Sequence, residues 1–126
     1  MAGARRVMLV EDDRDNFELV KILLERLGCA VLGARTGQEA LELARQERFD
    51  LILMDLSLPV MDGWAAAREL KLDSQTASIP LLALTAHTLP GDRQKALESG
   101  FDGYISKPIN VQRFNEELEK IFTAKG

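Results

Sequence analysis

Apolar residues fall in short continuous runs along this chain, and between the runs they recur at every third or fourth position against a polar background. Continuous runs suit strands buried on both faces, and spaced apolar positions suit helices that bury one side. The clearest run is Leu51-Ile52-Leu53-Met54, bounded by Asp50 before it and ended by Asp55, with a proline and glycine loop continuing to Gly63. It predicts a buried strand whose carboxyl end carries a carboxylate. Arg6 to Val10 predicts the first strand, closed by Glu11-Asp12-Asp13, and Cys29 to Leu32 the second. Ile79 to Leu84 predicts the fourth, with Pro80 tolerable near its start because the first residues of a strand need not donate to the ladder. Tyr104 to Ser106 is the short fifth.

The helical stretches fill the gaps. From Asn16 to Leu27 the positions Phe17, Val20, Leu23, Leu24 and Leu27 share one face, and Gly28 follows as a C-terminal cap. Thr36 with Glu39 three residues on matches a capping box, so a second helix runs from about Gly37 toward Gln46 with Ala40, Leu41 and Ala44 inward. Trp64, Ala67 and Leu70 mark a third helix after Gly63, with Trp64 read as core, Asp62-Gly63 as helix-start and turn chemistry, and Asp73 to Ser78 as a loop. A fourth opens near Pro90 and reaches about Ser99, stopped by Gly100; with only Ala96 and Leu97 to bury it should be the loosest. Val111, Phe114, Leu118, Ile121 and Phe122 give the last helix its stripe, and Thr123 to Gly126 should fray. Five strands alternating with five helices imply an α/β, three-layer αβα architecture around a parallel sheet with right-handed crossovers.

With 126 residues the chain makes one domain, 1–126 with a core over about 5–122, and buries roughly two-thirds of its unfolded surface without staples. Little chain remains after Phe122 for an output domain. The single cysteine, Cys29, sits among apolar neighbours and reads as a buried thiol in a reducing compartment, so cytoplasm is the expected location. No apolar run approaches the roughly 18 residues of a membrane span, and the Ala4-Arg5-Arg6 start leads into too few apolar residues for a signal sequence. A net charge of -4 and a pI near 5.0 speak against a general nucleic-acid binder, because phosphate contacts need a clustered basic surface. A protein or a small phosphorylated partner fits better.

Ligands of open parallel sheets bind outside the carboxyl ends of the strands. Those ends carry Glu11 and Asp12, Asp55, Thr85 and Lys107. Two unit charges about 4 Å apart repel by about 4 kcal/mol at an effective dielectric near 20, so either one acid stays protonated or a cation sits among them. Hard oxygen donors beside a phosphate site favour Mg²⁺. With the repulsion cancelled, Asp55 can attack a phosphoryl donor in line and form a mixed anhydride, while Lys107 and the Thr85 hydroxyl neutralise the phosphoryl oxygens.

Four stretches carry a family resemblance: Val10-Glu11-Asp12-Asp13, Met54-Asp55-Leu56-Ser57-Leu58-Pro59-Val60-Met61-Asp62-Gly63, Leu84-Thr85-Ala86 and Gly103-Tyr104-Ile105-Ser106-Lys107-Pro108. In this order and spacing the chain resembles, over nearly its whole length, a receiver domain of the two-component response regulators, of the stand-alone kind found in chemotaxis. The resemblance implies the flavodoxin-like strand order 2-1-3-4-5, for which the handful of doubly wound folds with ligands at a switch point is the precedent. It implies Asp55 as phosphoacceptor for a histidine kinase or histidine phosphotransfer protein, and Mg²⁺ held by Asp12, Asp55 and the backbone carbonyl of Ser57, with Glu11 acting through water. It implies a cis bond between Lys107 and Pro108. It further implies a switch in which Thr85 moves toward the phosphoryl group and Tyr104 swings inward. Ser57 and His87, two residues beyond Asp55 and Thr85, would tune the lifetime of the acyl phosphate. The signal would leave through helix four, strand five and helix five to a protein effector or a second copy.

One departure from the commonest pattern is the third acid, Asp13. Glu11 and Asp12 are taken as the pair because they follow directly on the strand, and Asp13 as a solvated residue near the helix start. Rival readings share the architecture. A phosphatase of the haloacid-dehalogenase type needs a second aspartate where Ser57 stands, and a flavodoxin-like FMN carrier needs a glycine, serine and threonine loop where Glu11-Asp12-Asp13 stands. A receiver that signals without phosphorylation is the third.

Overall fold

The computed structural model describes residues 4–56, 63–85 and 92–125. The first strand, β1 (Arg5–Val10), feeds α1 (Arg14–Arg26), which begins two residues earlier than the apolar spacing predicts because Asp13 caps it. The Asp13 Oδ1 accepts from the amides of Asp15 and Asn16 at 2.9 and 3.1 Å, satisfying donors that a helix start leaves open. Gly28, at φ 85, then reverses the chain where a side chain would be strained. β2 (Cys29–Ala34) runs two residues beyond its apolar core. α2 (Gly37–Gln46) has the bounds its capping box predicts, with Thr36 Oγ1 accepting from the Glu39 amide at 3.1 Å. β3 (Leu51–Asp55) is buried throughout, and α3 (Gly63–Leu72) follows.

β4 (Leu81–Thr85) starts later than predicted, because Pro80 lends only its carbonyl, accepting from Ile52 at 2.9 Å. Among the described residues α4 (Asp92–Glu98) is the shortest helix; its expected start at Pro90 lies outside them. β5 (Gly103–Ser106) and α5 (Val111–Lys125) complete the chain, and helix continues through 123–125, where fraying was expected. The sheet is parallel in the order β2-β1-β3-β4-β5, the order the resemblance implies.

Strand alternation divides the core. Val7, Leu9, Leu51, Leu53, Leu82 and Leu84 face α1 and α5, meeting Val20, Leu24, Phe114, Leu118 and Ile121. Met8, Val10, Ile52, Met54, Leu81 and Ala83 face α2, α3 and α4, meeting Ala40, Leu41, Ala66, Ala67, Leu70 and Ala96. Cys29 is buried, and burial pushes its thiol pKa up. Three apolar residues assigned inward do not go there. Leu27 is 43 % exposed at the end of α1, Val111 is 50 % exposed at the first position of α5, and Leu97 is 44 % exposed on α4. Trp64 is half-buried, set edge-on to Phe101 at 5.8 Å with the Lys95 ammonium 4.7 Å from its ring. Among the described residues no helix is long and apolar enough to cross a membrane.

Candidate functional site

The register of the sheet assembles the site. Val10 pairs with Met54, so Glu11 leaves β1 beside Asp55. Asp55 pairs with Leu84, and Thr85 with Ser106, so Thr85 and then Lys107 close the same rim. The Lys107 amide donates to the Thr85 carbonyl at 2.7 Å, and the peptide between Lys107 and Pro108 is cis. The lysine side chain crosses back over the strand ends. Its Nζ lies 3.0 Å from Glu11 Oε1 and 3.2 Å from Asp55 Oδ2, with only 16 % of the side chain exposed.

Glu11, Asp12 and Asp55 each offer a carboxylate oxygen, and these oxygens lie within 4.8 Å of one another. Glu11 and Asp55 are buried, and Asp12 is exposed. Burial, the hydrogen bond to Asp55 and its negative charge raise the Glu11 pKa from 4.5 to about 7, against the opposing pull of Lys107. Burial alone would lower the Lys107 pKa, but the Glu11 hydrogen bond and the two carboxylates hold it above the ordinary value. Among the described residues one ammonium faces three acids, which leaves excess negative charge, and the donors are all hard oxygens: a set suited to a small divalent cation.

Asp13 stands apart from this cluster. Its carboxylate caps α1 and its amide donates to Glu11 Oε2 at 3.3 Å, while the carboxylates near Asp55 are those of Glu11 and Asp12. Thr85 is buried at the end of β4. Tyr104 is 8 % exposed and pairs in register with Ala83, which places it on the same sheet face as Thr85 two residues on. Ser57 and His87 lie outside the described residues, as do Asp62 and Pro90. A cleft of about 440 Å³ opens beside Glu11 and Asp12, lined further by Arg14, Phe17, Gly33, Arg35 and Glu39.

One neighbour of the site carries no chemistry of its own. Gly63, read from sequence as turn chemistry, brings the first turn of α3 against the backbone of Asp55 and Leu56. A glycine at a helix start is compatible with many environments, so no sequence signal marked this contact.

The model of the response regulator receiver domain matches residues 7–119. The polar-differentiation response regulator DivK of Brucella anthropi is 43 % identical over 115 residues, 91 % of this chain and 94 % of that protein. The receiver domain of the sensor histidine kinase PA1611 from Pseudomonas aeruginosa PAO1, whose crystal structure has a magnesium ion coordinated in the active site cleft, is 36 % identical, with a TM-score of 0.85 over 94 % of this chain and 97 % of that one. The chemotaxis response regulator CheY4 of Vibrio cholerae is 31 % identical, with a TM-score of 0.86 over 94 % and 98 %. These matches set aside the phosphatase and flavin-carrier readings. The chain belongs to the response regulator receiver domain family of two-component signalling.

Proposed function

We propose that Asp55 takes the phosphoryl group from a phosphohistidine of a histidine kinase or phosphotransfer protein, with Mg²⁺ as cofactor, and later loses it slowly to water. The carrying observation is the convergence of three acids at the carboxyl end of the sheet, two of them paired with Lys107. Asp12 and Asp55 would hold the ion directly, Glu11 would hold it through water, and the backbone carbonyl of Ser57 is the further expected donor. Bound there, Mg²⁺ would supply positive charge against the acids and the phosphoryl oxygens.

The protein's own groups do the rest. An Asp55 carboxylate oxygen attacks phosphorus in line, an O–P bond forms as the P–N bond breaks, and the imidazole keeps the electron pair and takes up a proton. Lys107 turns from the carboxylates to the incoming phosphoryl oxygens, where its charge stabilises the transfer. The Thr85 hydroxyl donates to the same oxygens. Its displacement would open space for Tyr104, which shares its sheet face, and couple the new charge to α4, β5 and α5. Leu97 and Val111, exposed apolar residues on α4 and α5, support that face as the contact for a protein effector or a second copy in the cytoplasm. Ser57 and His87 would tune the rate of hydrolysis, and the unit that does all this would be the single domain 1–126.

Intact-mass spectrometry after incubation with acetyl phosphate and Mg²⁺ tests the reading. One added phosphoryl group is expected, absent from Asp55→Asn and absent with a chelator. An unchanged wild-type mass, or a phosphoryl group retained by Asp55→Asn, would sink it.

A further inference from the structure

Gly63 opens α3, and a β-carbon built on it would lie 2.5 Å from the Asp55 carbonyl oxygen and 2.8 Å from the Leu56 Cα. Both are backbone atoms, so no side chain can rotate away to relieve the clash. Gly63 does not have the positive φ that demands glycine at Gly28. Helix propensity favours alanine over glycine by about 1 kcal/mol. Backbone conformation and propensity both permit a larger residue here, and only the close approach forbids it. The backbone that Gly63 abuts carries the carboxylate that must keep its place among Glu11, Asp12 and Lys107, where the distances are 3.0 and 3.2 Å to the lysine.

We infer that Gly63 is a positioning residue for Asp55: its bare Cα lets the first turn of α3 buttress the end of β3, and this contact sets where the Asp55 carboxylate stands relative to the other acids. The inference rests on Asp55 being the metal-binding phosphoacceptor. A β-carbon must push the strand end or the helix by several tenths of an ångström, and a small divalent ion with strict octahedral demands responds to displacements of that size.

The experiment compares Gly63→Ala with Gly28→Ala, which strains a positive φ far from the rim and meets nothing within 4 Å. Thermal melts of the metal-free proteins, calorimetric Mg²⁺ affinity, and phosphorylation by acetyl phosphate at saturating Mg²⁺ are measured on wild type and both variants. Gly63→Ala should bind Mg²⁺ at least about tenfold more weakly and phosphorylate about tenfold more slowly, while Gly28→Ala loses thermal stability with wild-type affinity and rate. Equal affinities and rates in wild type and Gly63→Ala overturn the inference, as does a parallel loss in Gly28→Ala. If Gly63→Ala needs a stabilising osmolyte to fold, affinities are compared there; failure to fold even then assigns Gly63 to the fold and also overturns it. A wild type that binds no Mg²⁺ and takes no phosphoryl group would instead overturn the assignment of Asp55.

Discussion

The two ends of the sheet carry the same kinds of residue and use them in opposite ways. At the amino end each aspartate is matched. Asp50, just before β3, accepts from the Arg6 amide at 2.8 Å while its own amide donates to the Arg6 carbonyl at 2.7 Å. Asp102, just before β5, repeats the device on β4, accepting from the Leu81 amide at 2.9 Å and donating to its carbonyl at 2.7 Å. Arg6 also pairs with Glu47, and Arg45 with Asp73 at 2.9 Å. At the carboxyl end Glu11, Asp12 and Asp55 crowd together, and Lys107 pairs with only two of them, Glu11 and Asp55. Cavity size does not separate the ends, since a cavity of about 460 Å³ opens at the amino end among Arg45, Glu47, Phe49, Asp50, Gln75 and Pro80. Charge balance does: acids at one end clamp strands, and acids at the other are left with a deficit that a ligand can relieve.

That contrast is easiest to break at its centre. Above pH 7, where Glu11 and Asp55 are both ionised, Lys107→Met should destabilise the metal-free protein by about 3–5 kcal/mol, because it strands two buried carboxylates, and urea melts will show it. A loss below about 1 kcal/mol, the range of surface pairs, would mean the rim is no different from the rest of the surface. Metal-free stability should also fall as pH rises from 4.5 to about 7. The folded state holds a proton on Glu11 that the unfolded state has released, so the stabilisation is complete below 4.5 and lost as pH passes through 7. The drop should approach about 3 kcal/mol and flatten in Glu11→Gln. Excess Mg²⁺ should reverse the slope, since the ion competes with that proton.

Smaller effects are expected at the amino end, with no dependence on metal. Asp102→Ala leaves the amide of buried Leu81 without its acceptor and should cost about 2 kcal/mol. Asp50→Ala removes a bond in an exposed setting and should cost about 1 kcal/mol or less. If either variant changed Mg²⁺ affinity in calorimetry, the division of labour between the two ends would fail.

Much of this was legible because it is local. The run Leu51 to Met54 and the box from Thr36 to Glu39 carry their structures in consecutive residues, and β3 and α2 have the predicted bounds. Leu27, Leu97 and Val111 were misplaced because helical spacing assigns a face without saying which positions along it, the ends above all, are covered. Nothing among their chain neighbours marks Asp50 and Asp102. Their roles depend on Arg6 and Leu81, which lie 44 and 21 residues away and come near only when strands are paired. Gly63 was invisible for the same reason: the obstacle that requires glycine belongs to β3.

By itself the sequence determined the alternation of strands and helices, the buried face of most of them, and a rim furnished with Glu11, Asp12, Asp55, Thr85 and Lys107, since periodicity and local capping act over a few residues. The tertiary structure decided which acids become neighbours, how far Glu11 is pushed toward neutrality, and where a helix meets a strand end closely enough to exclude a methyl group. Those are properties of distance and desolvation, and neither has a value until the chain is folded.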